Sequence, residues 1–190
     1  MRSSTLVGIL ALMLLSGCSR PPAFEIYTDP GGDYTLEVPR EWPKNGNADR
    51  KPKPMSVVEF IGKLDPQDEG IPLGAVLSVT KFYRDRADIP GDDQAFQNYR
   101  KKVLEPTDIL FQSPAGFTLS GRAARDYRRE YTHVKAPMHG GDKIPMRFEG
   151  FAVETPMAYY VIEFRATQDN FDKYSFALER ARSSFKLLPR

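Results

Sequence analysis

The chain has 190 residues, with 27 Lys and Arg against 25 Asp and Glu, 41% hydrophobic and 12% aromatic residues. This length suits one domain with a substantial core, and the aromatic content favours a packed β-rich domain over a disordered chain. The near balance of charge gives no global pull toward nucleic acid, and a single cysteine excludes an intramolecular disulfide.

The N-terminus carries Arg2, then an uncharged apolar run from Leu6 to Leu15 that closes on Leu15-Ser16-Gly17-Cys18. A basic residue, a short apolar stretch and a small-residue site form a secretory signal. The run is about half the ~20 residues that a membrane-spanning helix needs. Ending on cysteine, it looks like a bacterial lipoprotein signal, which implies cleavage before Cys18 and lipidation of that residue. More than one acyl chain is needed for a stable anchor, at about 0.8 kcal/mol per buried methylene, and a lipoprotein cysteine carries two or three. Ser19, rather than Asp, follows the cysteine, which points to the outer membrane, facing the periplasm. Lipidation consumes the only thiol, so the mature domain has no disulfide, no cysteine metal ligand and no cysteine nucleophile. Without Arg2 of the signal, the balance is 26 basic to 25 acidic residues. The expected organisation is a signal peptide over 1–17, a lipidated cysteine and short tether stiffened by Pro21-Pro22 over 18–23, and one domain over 24–190.

Within the domain, Gly31-Gly32-Asp33 reads as a turn, and the alternating Tyr34 to Val38 as a strand ending at Pro39. Lys44 to Pro54, polar and proline-bearing, reads as a loop. Val57 to Ile61 and Ala75 to Tyr83 read as strands, the second with Val76, Ser78 and Thr80 opposed to Leu77, Val79 and Lys81. Asp92-Asp93 caps a predicted helix to Leu104, with Phe96, Tyr99 and Val103 on one face. Short strands are expected at Ile109–Phe111 and Phe117–Leu119, a long polar strand over Ala123–Val134, and a loop over Lys135–Lys143. Met146–Glu154 and Tyr159–Thr167 form the clearest hairpin. Placing Phe151 and Val153 on one face with Tyr160, Ile162 and Phe164 sets Glu154 opposite Tyr159. Pro156 cannot take the positive φ of a two-residue type I′ turn, so a four-residue loop, Thr155 to Ala158, is expected. A last helix over about Asn170–Leu187, with Asp169 as N-cap, presents Phe171, Tyr174, Leu178, Ala181 and Phe185 as one stripe. This is an α+β pattern: an antiparallel β-sheet covered by helices.

The opening Tyr34-Thr35-Leu36-Glu37-Val38-Pro39-Arg40-Glu41-Trp42-Pro43, and the closing Tyr-Tyr-Val-Ile strand followed by an acidic-capped helix ending on Ser184-Phe185-Lys186, resemble the PsbP-like group, which includes the bacterial DcrB-like lipoproteins. The resemblance spans most of 24–188. It implies an α/β/α sandwich around an antiparallel sheet and a mostly non-catalytic role, and it brings no site residues with it, since fold does not give function.

Several constellations bear on chemistry. His133 and His139, with Met138, Asp142 and Met146, could form a copper or zinc loop, but their spacing matches no ligand pattern, so no metal and no cofactor are expected. No Gly-x-Ser-x-Gly elbow or phosphate-cradling glycine loop occurs. Glu149, Glu154 and Glu163 on the hairpin, and Asp65, Asp68 and Glu69, are the carboxylates open to glycosidase chemistry, and no feature sets one apart. On a strand, Arg125, Tyr127, Arg129 and Tyr131 share one face, and arginine interleaved with tyrosine can bind an envelope protein or an anionic polymer. The alternative for that stretch is a solvated strand in which Asp126 and Glu130 neutralise their neighbours. Arg100-Lys101-Lys102 would extend the patch if the fold brought it near. The sequence thus reads as a membrane-anchored, non-enzymatic envelope lipoprotein that binds or scaffolds an envelope component. A small-ligand or metal-binding accessory protein is the second reading, and an envelope hydrolase the third.

Overall fold

A computed structural model describes residues 22–46, 55–62, 74–84, 117–134 and 143–189, together with Gln94, Gln97, Asn98 and Lys101. Ten strands and two helices appear among them: β1 (Phe24–Thr28), β2 (Tyr34–Pro39), β3 (Lys44–Gly46), β4 (Met55–Ile61), β5 (Val76–Tyr83), β6 (Phe117–Leu119), β7 (Arg122–Val134), β8 (Lys143–Glu154), β9 (Ala158–Thr167), α1 (Gln168–Tyr174), α2 (Phe176–Ser184) and β10 (Lys186–Leu187). Seven strands form one antiparallel sheet in the order β3-β4-β5-β9-β8-β7-β6, and three form a second in the order β1-β2-β10. The architecture is α+β, mostly antiparallel sheet with two helices.

The β8–β9 hairpin has the register that its side chains demand. Phe151 pairs with Ile162, Val153 with Tyr160 and Glu154 with Tyr159. Thr155 locks the connection: its Oγ1 accepts from the Met157 and Ala158 backbone N–H groups and donates to the Ala158 carbonyl. A threonine hydroxyl bonding its own turn backbone is what lets Pro156 sit at the tip without a backbone donor.

Alternation places Leu77, Val79, Phe151, Val153, Tyr160, Ile162 and Phe164 on one face of the large sheet, where all are buried. The small sheet and both helices pack there. Tyr34 meets Tyr160 edge-on at 5.6 Å, Phe171 meets Phe164 at 5.0 Å, and Phe185 meets both Phe151 and Tyr160. Trp42 stacks on Phe164 at 6.4 Å. Aromatic pairs at these separations contribute beyond their buried area. The opposite face is buried as well, through Phe82, Tyr127, Phe148, Val161 and Glu163.

Four elements differ from the sequence reading. The last helix is two segments: α1 closes at Tyr174, Ser175 joins it to α2, and α2 ends at Ser184. Phe185 is extended (φ −59°, ψ 124°), and Lys186-Leu187 then pair with Thr35 and Tyr34 of β2 as a strand. The stripe survives because Phe171, Leu178, Ala181 and Phe185 still point into the core. Thr167, not Asp169, is the N-cap, and Asp169 lies in the first turn, where its charge suits the helix dipole. Lys44–Gly46, expected as loop, is a strand on the edge of the large sheet, and Phe24–Thr28 is an additional strand. Gln94, Gln97 and Asn98 are helical. The rest of the expected helix over Asp92–Leu104, the strand over Ile109–Phe111 and most of the loop over Lys135–Lys143 lie outside the described residues.

One ion cluster joins the two sheets. Lys81, in phase with Leu77 and Val79, is buried, and its Nζ donates to Oδ2 of Asp29 (2.8 Å) and Oδ2 of Asp33 (2.9 Å), the two ends of the β1–β2 turn. Burial works against the lysine charge, but the two carboxylates outweigh it and hold its pKa above 10.5. Its stabilising contribution is therefore complete below pH 10.5 and is lost as pH rises through the higher folded value. Replacing Lys81 by Met leaves two buried carboxylates uncompensated and is expected to remove about 3–5 kcal/mol. Urea denaturation of Lys81→Met, and of Lys81→Met with Asp29→Asn and Asp33→Asn, checks this: the triple variant recovers most of the loss if charge burial is its cause.

Candidate binding surfaces of the sheet

The sequence-predicted face of β7 divides in the structure. Arg125 and Tyr131 are exposed, Arg129 is half-buried and Tyr127 is fully buried. The Tyr127 hydroxyl donates to Oε2 of Glu163 at 2.6 Å. The two residues sit on β7 and β9, with β8 between them, and the residue paired with both is Gly150. A Cβ there would lie 2.9 Å from the Tyr127 ring end and 2.3 Å from the Ile162 carbonyl oxygen. Glycine thus opens the lane through which Tyr127 crosses to Glu163.

Glu163 is buried, and burial pushes its carboxyl pKa up from 4.5. The Tyr127 hydrogen bond and the charges of Arg129 and Arg165 act in the other direction without cancelling it. The Arg129 guanidinium lies 3.8 Å from Glu163 Oε2 and 4.2 Å from the Phe148 ring centroid, so Arg129 is committed to the sheet rather than to solvent. Glu130 neutralises its strand neighbour Arg128 at 2.7 Å, whereas Asp126 reaches Arg182 of α2 at 2.6 Å. Arg125 makes no ion pair among the described residues. What remains presented to a partner is Arg125 and Tyr131, joined by a half-buried Arg129.

The other carboxylates do not converge. Glu149 is held by Arg147 and Arg128, and Glu154 by Arg84, on opposite faces of β8. Among the described residues no group of three or more His, Cys, Asp or Glu could hold a metal ion. Met146 is buried in the sheet. Met138, His139 and Asp142, the His133 side chain, Asp65, Asp68, Glu69, Arg100, Lys102 and Cys18 lie outside the described residues.

A second feature, absent from the sequence reading, is a cavity of about 320 Å³ at the turn end of the β8–β9 hairpin. Three segments frame it: Thr155–Met157 with Tyr160, the tail Leu187–Pro189, and Arg122 at the start of β7, with Asp33 at its edge. The β6–β7 turn brings Arg122 there. Ser120 (φ 49°) and Gly121 (φ 73°) both take positive φ, the type I′ geometry of a two-residue hairpin loop. The Ser120 hydroxyl donates to the Phe185 carbonyl at 3.1 Å and accepts from the Leu187 N–H at 3.4 Å. The Leu188 N–H in turn donates to the Asp33 carbonyl at 2.9 Å. The Leu-Ser-Gly-Arg run between two strand patterns was the available signal for this turn. Nothing local in the sequence brings the tail to it.

No family model and no curated protein matches the chain. In structure it is similar to LpqN of Mycobacterium tuberculosis, described as involved in cell envelope biogenesis (16% identity, TM-score 0.44, 90% of this chain and 88% of that one). It is also similar to the cyanobacterial PsbP of Synechocystis (14% identity, TM-score 0.48, 90% and 96%) and to a Pseudomonas aeruginosa protein of unknown function (14% identity, TM-score 0.44, 88% and 97%). These likenesses concern the fold.

The raised carboxyl of Glu163 has a signed consequence. The folded state binds its proton more tightly than the unfolded state, so this group's contribution is complete below pH 4.5 and falls as pH rises above that. Glu163→Gln keeps an acceptor for Tyr127 and removes the titration. The stability of Glu163→Gln relative to wild type should therefore increase between pH 4 and pH 7, as read by urea denaturation at each pH.

Proposed function

We propose that this chain is a lipid-anchored protein of the bacterial cell envelope that works without catalysis, binding an envelope protein or anionic polymer through the face of β7 that carries Arg125 and Tyr131. The observation that carries the anchor is the run Leu6–Leu15 closing on Leu15-Ser16-Gly17-Cys18. Two or three acyl chains on Cys18 hold the protein firmly at the bilayer, and Ser19 directs it to the outer membrane, on the periplasmic side. Only five residues separate Cys18 from β1, so the tether spans at most about 3.3–3.6 Å per residue and the domain stays next to the headgroups. Among the described residues no helix is long and apolar enough to cross a membrane.

The binding surface is supported by Arg125, exposed and without an ion pair among the described residues, and by Tyr131, 43% exposed with its ring against Phe148 at 5.0 Å. Arginine and an exposed aromatic ring on one strand face are residue types that interfaces favour. The same reading takes the large sheet as the middle layer of an α/β/α sandwich.

Two measurements test this. In cells fed an alkyne-tagged fatty acid, the wild-type chain should take up label and fractionate with membranes, and Cys18→Ser should do neither. Labelling that persists in Cys18→Ser overturns the anchor. Crosslinking in intact cells should recover a reproducible envelope partner, reduced at least fivefold in Arg125→Glu with Tyr131→Ala while the melting temperature stays within about 2 °C of wild type. Undiminished recovery overturns the surface. Arg129 is left intact in this test because it is bound up with Phe148 and Glu163.

A further inference from the structure

We propose that the cavity at the β8–β9 turn is a binding site for a small molecule with an apolar body and a single carboxylate, recognised by Arg122. Its volume, about 320 Å³, falls at the small end of ligand sites, which run from about 300 to 1,000 Å³. Its walls are held in place before any ligand arrives. Thr155 fixes one side through three hydrogen bonds, Ser120 fixes Leu187, and the Leu188 N–H is tied to Asp33. Preorganisation of this kind removes the ordering cost from binding.

The chemistry of the wall is largely apolar. Pro156, Met157, Leu187, Leu188 and the Tyr160 ring supply the surface for a hydrocarbon or aromatic body. Two charged residues among the described ones line it, and they differ in commitment. Asp33 is almost fully buried, and its Oδ2 already accepts from Lys81 at 2.9 Å and from the Tyr83 hydroxyl at 2.6 Å. Asp29, which shares Lys81, is not in the wall and accepts from the Gly31 backbone N–H at 3.1 Å. Arg122 is exposed and makes no ion pair among the described residues, while Arg84, Arg128, Arg147 and Arg182 are each paired with a carboxylate. A planar guanidinium with its donors unclaimed, beside an apolar cavity, matches a carboxylate bidentately. Arg122 is in phase with Ala124 and Asp126, so it lies on the opposite face of β7 from Arg125. The site is separate from the proposed partner surface, and its failure leaves the anchor and that surface untouched.

The test is isothermal titration of the purified full-length lipoprotein, in a non-ionic detergent, with 4-phenylbutyrate as the probe. Partitioning into micelles is common to all variants and cancels in their comparison. Saturable one-to-one binding is expected, weakened at least tenfold in Arg122→Gln and Arg122→Glu and lost in Met157→Trp, which fills the cavity. 4-Phenylbutanol should bind at least tenfold more weakly than the carboxylate. Should Met157→Trp fail to fold, shown by its melting curve, the two Arg122 variants decide the matter alone. Absence of saturable binding, binding indifferent to Arg122, or tighter binding of 4-phenylbutylamine each overturns the site. The last result would mean that the excess negative charge of the Lys81 cluster, and not Arg122, governs the cavity.

Discussion

A single buried lysine sets how the two sheets meet. Lys81 occupies a core position on β5, between Val79 and Tyr83 on the buried stripe, and an unpaired ammonium there would carry a desolvation cost of several kcal/mol. It is tolerated because the β1–β2 turn delivers two carboxylates to it, with Tyr83 donating to one of them. Geometry makes the dependence mutual. The turn Asp29-Pro30-Gly31-Gly32-Asp33 stays tight because Gly32 N–H bonds the Asp29 carbonyl and Asp29 N–H bonds the Tyr34 carbonyl. That turn fixes the register of β2, whose Tyr34, Leu36 and Val38 then face the large sheet. β10 pairs with β2 in turn. The position of the small sheet, and through it that of the C-terminal tail, follows from one polar contact inside an apolar layer. Ionic partners have directional, countable demands where hydrocarbon has none, so such a contact can specify one docking among many that would bury similar area.

The second face of the sheet solves a related problem differently. Glu163 sits on the central strand, buried, without a lysine to meet it. Its compensation is a phenol from two strands away, reached because Gly150 removes the intervening side chain. A tyrosine hydroxyl at 2.6 Å satisfies the acceptor without adding a second charge, and Arg129, at 3.8 Å, supplies attraction from the rim. The result is a carboxyl whose proton affinity is raised, because a neutral donor and a more distant cation recover less than burial removes. The two faces thus show two regimes: a lysine paired with two carboxylates on one, and a carboxyl inclined toward its neutral form on the other.

Much of this was legible in the sequence where side-chain alternation decides the outcome. The β8–β9 register followed from asking which residues must share a face, and proline at the turn excluded the tighter loop. The stripe Phe171, Leu178, Ala181 and Phe185 was visible although the helix is broken at Ser175, because a one-residue interruption keeps the face. Hidden features were those that depend on partners distant in sequence. Lys81 could be seen in phase with Leu77 and Val79, but a basic residue near the end of a strand more often reaches solvent, and its acids lie 48 and 52 positions away. Tyr127 alternates with arginines and so read as surface, and only Gly150 on a different strand shows why it turns inward. Lys44–Gly46 has no apolar residue at all, and it is strand purely because the β4 edge offers backbone partners.

The same distinction explains why a cavity exists at the turn end of the hairpin. Continued as helix to Leu187, the chain would have carried Phe185 and Leu187 to different sides and left the β2 edge unpaired below Glu37. The helix instead stops at Ser184, whose Oγ accepts from the Glu37 N–H at 2.8 Å and so begins covering that edge. β10 continues the cover by backbone pairing. An extended tail advances about 3.3 Å per residue, against 1.5 Å in a helix, which carries Leu188 and Pro189 beyond the sheet to the level of Pro156 and Met157. Tail and turn then stand apart, held by different anchors, with Arg122 delivered between them by the Ser120-Gly121 turn. The open volume is a consequence of edge protection. The sheet is closed by a strand too short to fill the space at its end, and among the described residues the side chains lining that space are largely apolar, with Thr155, the Tyr160 hydroxyl, the committed Asp33 and the ion-pair-free Arg122 as the polar ones.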